Sequence, residues 1–509
     1  MNYAELFRVT LPETVLEIAA VLVLVTDLAF LRKAALKARV AAAALLGIAG
    51  CLVAWWAMGF SGGQGLSAGS DLLLAVGGSA GVAQVGILVL TAITLLLLID
   101  SDFTKHAGEY VAVVLMAAAG GMLIAAAQDL LVIFIGLELL SLGLYILTAF
   151  AKKSGKGAEA AIKYYLFGGM SAAFLLFGFS YLYGITGSTN LHAVMLGLFS
   201  GRGMMATPLL CAALVAIAAG LGFKVAAAPF HLWAPDTYEG APAPGAAFIA
   251  SVSKVASFAL LISIGTAALH VFGAARSGSF IIVFSGPSYR FLGIQYPWSR
   301  LLMVLAVASM VVGNLAALAQ VSVRRLLAYS AVAHAGYILL GLAFFSWSNA
   351  SANAVLYYIL TYGLTTIGAF GVIAVVERAT GSDRLDAFLG LHKRNPLLAT
   401  VTLVLLLSLA GIPPLVGFWA KFNLFAAVLG VGAGPVALWL VALAIAMSAV
   451  SLYYYLQVLK RVYVLPAADQ TPIAAHPVTT VVLLAIAAAV VVLGCFPALL
   501  QNWIVSFYS

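Results

Sequence analysis

The chain has 509 residues, of which 64% are apolar and only 8% are charged. Soluble domains carry about 25% charged residues, so this balance excludes a water-soluble fold. The formal net charge of +8 does not call for a nucleic-acid partner, because an uneven distribution of basic residues between two membrane faces explains most of it. The composition predicts an all-α polytopic membrane protein.

Apolar segments that match the roughly 20 residues of a bilayer crossing recur along the whole chain. We count about fourteen spans, at 14–31, 40–60, 81–99, 110–127, 129–150, 160–185, 208–228, 245–269, 301–319, 326–345, 353–376, 397–430, 435–459 and 477–505. The residues before the first span lack the basic stretch and cleavage site of a signal peptide, so we expect the first span to be retained.

The three cysteines, Cys51, Cys211 and Cys495, all lie within apolar segments. They show no CxxC or metal-type spacing, which argues against disulfides, zinc and iron–sulfur ligation. We expect them to be small core residues.

The basic residues outside the spans predict the orientation. Loops after odd-numbered spans contain sixteen lysines and arginines, whereas the opposite side has only Arg8, Arg202, Arg276, Arg290 and Arg300. By the positive-inside rule the odd loops are cytoplasmic and both termini are extracytoplasmic. Arg324 and Arg325 are expected to be charges at the cytoplasmic interface.

Internal similarity points to an inverted repeat. Residues 127–147 align without gaps on 319–339, and Thr186-Gly187-Ser188 aligns on Thr380-Gly381-Ser382 at nearly the same offset. The match pairs the fourth, fifth and sixth spans with the ninth, tenth and eleventh, a shift of five spans. Because five is odd, the second copy is inverted in the membrane. The alternative is chance similarity between Ala- and Leu-rich helices.

The repeat predicts five parts of the chain: an N-terminal three-helix segment (1–109), a first five-helix repeat (110–270), an extracytoplasmic connector (271–300), an inverted second repeat (301–465) and a C-terminal helix (466–509).

Proline interrupts the seventh and twelfth spans, which correspond in the two copies. Pro229 breaks the first, and the pair Pro413-Pro414 breaks the second. Each proline leaves backbone carbonyls without intrahelical partners, which the membrane interior tolerates only where protein or water supplies partners. Paired breaks are the best sequence indication of an ion path at mid-membrane, although two ordinary kinks would give the same pattern.

Ionisable side chains inside the spans sharpen this hypothesis. Glu138, Lys224, Lys254 and Lys421 lie in the fifth, seventh, eighth and twelfth spans, and each would cost roughly 2.5–3.5 kcal/mol at a helix centre. A buried lysine can pair with the carboxylate, face a hydrated cavity or give up its proton. Proton transfer is one interpretation. A static ion pair between Glu138 and one lysine is the other.

Two histidines belong to the same set of candidates. His231 lies two residues after Pro229, and His334 lies one turn after Ser330, which the repeat places opposite Glu138. Histidine titrates near neutral pH and suits a proton relay, but a lone helical histidine is more often a hydrogen-bonded core residue.

The runs PFHLWAPDTYEGAPAP at 229–244, SK at 253–254 and LLSLAGIPPLVGFWAKFNLF at 406–425 closely resemble the antiporter-type membrane subunits of respiratory complex I. The resemblance covers nearly the whole chain. It is greatest for the N type, because the M type has glutamate in the twelfth helix and the L type is longer, with a lateral amphipathic helix. The segment 272–298 is longer than expected for that family.

The resemblance implies a proton-translocating subunit of the NADH–quinone oxidoreductase in a bacterial inner membrane. Glu138 corresponds to the fifth-helix glutamate, Lys224 to the lysine that it modulates, and Lys254 to the connecting lysine. Lys421 corresponds to the lysine at the exit half-channel and His334 to the histidine of the central polar axis.

The resemblance also implies that the chain binds no cofactor itself. Flavin mononucleotide, the iron–sulfur clusters and the quinone site would lie in other subunits, and the partners would be neighbouring membrane-arm subunits, the lipid bilayer and the quinone pool. Two alternatives stay open: a subunit of a Na⁺/H⁺ antiporter with the same fold, and a structural subunit whose buried charges only specify packing.

Overall fold

The computed structural model describes residues 3–61, 73–199, 207–276, 295–345, 349–430, 434–467 and 471–508. These residues are almost entirely helical. The helices are α1 (Tyr3–Val9), α2 (Leu11–Val25), α3 (Leu36–Ser61), α4 (Gly78–Leu98), α5 (Ala107–Ala126), α6 (Leu130–Ala149), α7 (Gly155–Thr186), α8 (Leu191–Phe199), α9 (Thr207–Lys224), α10 (Trp233–Gly240), α11 (Ala243–Arg276), α12 (Gln295–Leu318), α13 (Val323–Ala343), α14 (Asn349–Thr380), α15 (Leu391–Arg394), α16 (Pro396–Ala410), α17 (Val416–Gly430), α18 (Gly434–Tyr463), α19 (Pro477–Cys495) and α20 (Pro497–Ser506).

These helices confirm the polytopic all-α fold. Eleven helices of the described chain are long and apolar enough to cross a membrane: α3 to α7, α11 to α14, α18 and α19. The three remaining predicted spans contain shorter helices. The first is α2, which continues into a π-helical turn at Thr26–Phe30. The seventh is divided into α9 and α10 and the twelfth into α16 and α17, so both predicted breaks are confirmed.

Two expectations about individual segments were wrong. Only Cys51 is a buried core residue, whereas Cys211 and Cys495 are exposed on the helix surface. The last predicted span ends early, because Pro497 starts a separate helix after Phe496. Most of the segment 272–298, noted above for its unexpected length, lies outside the described residues.

Glycines allow the close contact between α12 and α13. A Cβ at Gly313 would lie 2.5 Å from the backbone nitrogen of Ala333, and one at Gly336 would lie 2.7 Å from that of Met310. Helices α5 and α6 pack in the same way, since a Cβ at Gly120 would lie 2.6 Å from the nitrogen of Leu140. Small residues at such crossings let the backbones approach, which is how membrane helices gain packing energy.

The two Thr-Gly-Ser segments form matching turns. The Thr186 hydroxyl bonds the carbonyl of Leu182 and that of Thr380 bonds Val376, four residues back in each case. The glycine that follows has φ of +74° at Gly187 and +71° at Gly381. Each turn then pairs with the start of an earlier helix, through the isolated bridges Asp129↔Asn190 and Ser322↔Arg384. The turns support the internal similarity, and the five-helix repeat stays a prediction.

The chain alternates between two faces. Both ends of the chain lie on one face, called here the terminal face, where Gly78 donates to the Phe507 carbonyl at 2.9 Å and Gln128 donates to the Leu73 carbonyl at 2.9 Å. The opposite, odd-loop face carries the loops after the odd-numbered spans. A cavity of about 580 Å³ opens there between the ends of α4, α6, α10, α12 and α14.

We predict that Gly313→Ala destabilises the subunit. The new methyl would press against the backbone of α13, which cannot move aside as a flexible side chain would, and overpacking of this kind costs about 1–3 kcal/mol. The control is Gly184→Ala on α7, where a Cβ has no neighbour within 4 Å. Native gels of the complex after graded heating should show earlier loss of the subunit for the first variant alone. Equal loss in both variants would contradict the packing argument.

Candidate functional site

The break in the seventh span frees backbone groups between α9, which ends at Lys224, and α10, which begins at Trp233. Protein groups satisfy them. The indole of Trp233 donates to the carbonyl of Phe223 at 2.9 Å, and the backbone nitrogen of Ala228 donates to the hydroxyl of Ser309 at 2.9 Å. The break is therefore an ordered part of the fold, stabilised by its own hydrogen bonds.

Lys254 completes this arrangement from the middle of α11. It is 3% exposed, and its Nζ donates to the carbonyl of Val225 at 3.1 Å and to that of Ala331 at 2.8 Å. The first carbonyl belongs to the broken segment and the second to α13. One ammonium thus joins the seventh span to the tenth.

Lys421 does the same at the break in the twelfth span, where α16 ends at Ala410 and α17 begins at Val416. Its Nζ donates to the carbonyls of Leu409 and Ala410 at 3.1 and 2.8 Å. A third bond, of 2.8 Å, goes to the hydroxyl of Ser448 on α18. The lysine reaches back across the break and satisfies carbonyls that the missing helical turn leaves free.

Two glycines make room for this contact. Gly411 has φ of +88°, a left-handed conformation, and a Cβ there would lie 2.9 Å from Cδ of Lys421. A Cβ at Gly417 would collide with the carbonyl of Ser408. Only glycine fits either position, because the first must turn the chain and the second brings α17 against α16.

Lys224 binds a hydroxyl. Its Nζ donates to Oγ of Ser141 on α6 at 2.5 Å, and Ser141 in turn donates to the carbonyl of Leu137. The ion pair considered between Glu138 and a lysine is not formed: among the described residues no cation lies within 4 Å of the Glu138 carboxylate. Glu138 is half-buried on α6, one turn before the Ser141 that binds Lys224.

His334 lies on α13 between the two breaks. Its Nδ1 is 2.8 Å from the hydroxyl of Tyr358, while its buried Nε2 has no hydrogen-bond partner among the described residues. Ala331, which binds Lys254, lies one turn before it. Tyr337, whose ring centroid is 5.4 Å from Nζ of Lys421, lies one turn after it. His334 therefore lies within one turn of both contacts, between Lys254 and Lys421.

His231 lies in the break of the seventh span, just before α10. It is 7% exposed, and its Nδ1 has no hydrogen-bond partner among the described residues. Its ring faces Tyr329 of α13, with 6.1 Å between the centroids. His231 thus lies within the break. In contrast, His334 belongs to α13, and Lys254 and Lys421 both contact that helix.

The side chains that bind Lys224, Lys421 and His334 were not predicted from the sequence. Ser141 follows Glu138 at i+3 and so shares its helix face, which is a signal that could have identified it. Ser448 and Tyr358 gave no such signal, because hydroxyls within apolar spans usually bond to their own helix. Their role as hydrogen-bond partners can be recognised only when the relative position of two helices is known.

Arg324, which we expected at the cytoplasmic interface, lies at the odd-loop end of α13 but is only 3% exposed. It donates to the carbonyl of Ala241 at 2.7 Å, just after the last residue of α10, and forms an ion pair with Glu377 of α14. Arg325 is half-buried and pairs with Asp236 and Glu239 at 2.7 and 3.1 Å. Together the two arginines tie the second half of the broken seventh span to α13 and α14.

Comparison with known proteins identifies the family. A family model described as NADH:quinone oxidoreductase/Mrp antiporter, TM, matches residues 127–286 and 274–451. The NADH-quinone oxidoreductase subunit N 2 of Acidobacterium capsulatum is 47% identical over 514 aligned residues, which cover 99% of each chain. The chain belongs to the subunit N family of NADH–quinone oxidoreductase, the proton-translocating membrane subunits of complex I.

Solved structures agree with this family. A chain of respiratory complex I from Thermus thermophilus with bound aureothin matches with a TM-score of 0.76 and 33% identity, covering 96% of this chain and 98% of that chain. A chain of the Mrp complex from Dietzia sp. matches with a TM-score of 0.77 and 20% identity, covering 98% of this chain and 51% of that chain. The second match shows a shared fold alone.

We predict that Ser141→Ala slows proton pumping by roughly tenfold while the complex still assembles. The change removes the hydroxyl that holds Lys224, and a hydrogen bond to a charged group contributes about 1.5–3 kcal/mol. The control is Ser180→Ala on α7, an exposed serine that bonds only its own helix. Pumping is measured with a pH-sensitive dye in membrane vesicles energised with NADH. Equal rates for the two variants would show that the hydroxyl is dispensable.

Proposed function

We propose that this chain moves protons through Lys224, Lys254, His334 and Lys421, with Glu138 and His231 at the margins of the path. The observation that carries the proposal is the chemistry of the partners of the three lysines. Each ammonium is buried and bonds only carbonyl or hydroxyl oxygens, and among the described residues none pairs with a carboxylate.

Neutral partners matter because they hold a lysine without fixing its charge. A carboxylate would stabilise the protonated form and retain the proton, as in a static buried ion pair. A carbonyl accepts a hydrogen bond from an ammonium and from a neutral amine alike. The arrangement therefore favours proton loading and release over the purely structural alternative.

Continuity between the lysines supports a relay. Lys254 binds the carbonyl of Val225, the residue directly after Lys224, and also the carbonyl of Ala331, one turn before His334. Lys421 lies against Tyr337, one turn after that histidine. We infer that the path runs along the membrane plane from the seventh span through α13 to the twelfth.

We assign the odd-loop face to the cytoplasm and both termini to the other side, because sixteen basic residues flank the odd loops. The 580 Å³ cavity at that face is lined by Lys156, Glu239, Arg324 and Glu377 among others. It would let cytoplasmic water reach the end of α10. The wider assignment as an inverted repeat, with one half-channel in each copy, belongs to the same proposal.

The position of Glu138 also indicates that another subunit packs against α6. It lies near the middle of a spanning helix, and its neighbours Ile135 and Leu142 on that helix are 60% and 51% exposed. A half-exposed carboxylate facing lipid would be costly. We infer that another membrane subunit of the complex covers it. Electron transfer through flavin, iron–sulfur clusters and quinone belongs to other subunits, in keeping with a family that lacks redox centres.

We predict that Lys224→Ala lowers proton pumping per NADH oxidised by roughly 10²-fold, the lower end of what loss of a proton-transfer group costs. Assembly should persist, because no packed apolar core is removed. Lys153→Ala, at an exposed turn of the odd-loop face, is the control. Pumping is measured with a pH-sensitive dye and assembly by native gel. An unchanged pumping ratio would refute the proposed path.

We further predict that Glu138→Gln impairs pumping more than Glu138→Asp. The aspartate keeps the negative charge that acts on Lys224 at some cost in reach, whereas the amide removes it. NADH-driven pumping of the two variants and of the wild type is compared in vesicles at one pH. If Gln and wild type pump equally, the carboxylate is not needed and the central path must work without it.

A further inference from the structure

A second buried carboxyl lies far from the line of lysines. Glu13, in the first turn of α2, is only 2% exposed. Its Oε1 accepts a hydrogen bond from the Gln84 amide of α4 at 2.9 Å, and its Oε2 has no hydrogen-bond partner among the described residues. The proton path described above does not use this residue.

A cavity of about 330 Å³ lies next to the residues that surround Glu13 at the terminal face. The cavity wall includes Pro12, which precedes Glu13 in the chain, and Gln84, which is hydrogen-bonded to Glu13. Trp55 and Trp56 stand at the cavity with more than half of each side chain exposed. A cavity of this size accommodates several water molecules, so water from the terminal face can reach Gln84, the hydrogen-bond partner of Glu13.

No cation of the described residues forms an ion pair with Glu13. In the described chain no lysine, arginine or histidine lies within 4 Å of it. The ionisable groups nearest in the fold are Glu17, one turn along α2, and Glu5 and Arg8 on α1, where the guanidinium of Arg8 bonds the Phe60 carbonyl. Helix α4 contains no charged residue, and those of α3 and α5, Lys37, Arg39 and Glu109, lie at their odd-loop ends.

We propose that Glu13 is a proton-exchange group of the terminal face, which binds a proton from, and releases it to, the water of the adjacent cavity. A buried carboxylate without a cation is costly, and protonation removes that cost. A resident metal ion does not suit the site, because hard cations require several oxygen ligands and one carboxylate with one amide does not provide them.

With the orientation given under Proposed function, on which this use of the site rests, Glu13 would serve proton release on the extracytoplasmic side. Its amide partner Gln84 keeps the carboxyl oriented, and the unpartnered Oε2 is the atom that carries the proton. The proton moves between this oxygen and a cavity water, so the step needs no other reactant.

The test is carbodiimide labelling of the intact complex in sealed vesicles, without NADH or quinone. Dicyclohexylcarbodiimide modifies protonated carboxyls in apolar surroundings, and tandem mass spectrometry locates the adduct. The pH on one side is varied while the other side stays buffered, in vesicles of both orientations. We expect labelling of Glu13 to fall as the pH at the terminal face rises. The pH at the odd-loop face should have no effect on the labelling. Labelling that follows the odd-loop face, or that no pH change affects, would overturn the proposal.

Variants show whether Glu13 takes part in proton release or is only protonated. Glu13→Gln should remove the adduct at position 13 and lower the initial rate of NADH-driven pumping at least threefold, whereas Glu17→Gln, on the same helix, should leave the pumping rate unchanged. A normal rate in Glu13→Gln would exclude the release function. Lys224→Ala should keep the pH-dependent Glu13 adduct, so failure of the lysine path and failure of this site give different results.

Discussion

The fold depends on how two buried ammonium groups, those of Lys254 and Lys421, meet backbone carbonyls within the membrane. A broken helix leaves carbonyls that no lipid can satisfy, and a buried lysine brings donors that no lipid can accept. Lys254 and Lys421 remove both costs by donating to Val225, Leu409 and Ala410. The same bonds that permit the breaks place the lysines at them, so one set of hydrogen bonds serves both the fold and the proposed proton path.

The two breaks use this interaction in different ways. At the twelfth span the lysine belongs to the second half-helix and reaches back to the last carbonyls of the first half. At the seventh span the lysine that binds the break comes from α11, and Lys224, the final residue of α9, binds Ser141. The two breaks therefore differ in where their lysines lie: Lys224 precedes the break in its own span, and Lys421 follows its break.

Much of this could be predicted from the sequence because a membrane restricts what a chain can do. Spans must be long and apolar, so fourteen segments predicted the eleven long helices and the three divided or short ones. Proline marks a break by its chemistry. The partners within the site could not be predicted, because they depend on helix rotation. The exposure of Cys211 and Cys495 is set by which face each helix turns inward. Ser141 and Glu138 share a helix face, so only the relative position of α6 and α9 decides which of them Lys224 binds.

Polar residues near helix ends were hardest to interpret from sequence. Arg324 has the sequence context of an interface charge, yet it is buried and caps the end of α10 through the Ala241 carbonyl, where a cation also suits the helix dipole. Glu13 has the context of a first-turn glutamate but is buried beside a cavity. In both cases a third helix covers the residue. Because Arg324 joins α10 to Glu377 of α14 while Lys254 joins the preceding turn to α13, the second half of the seventh span is held at both ends, and a displacement of either α13 or α14 would act directly on the break beside Lys224.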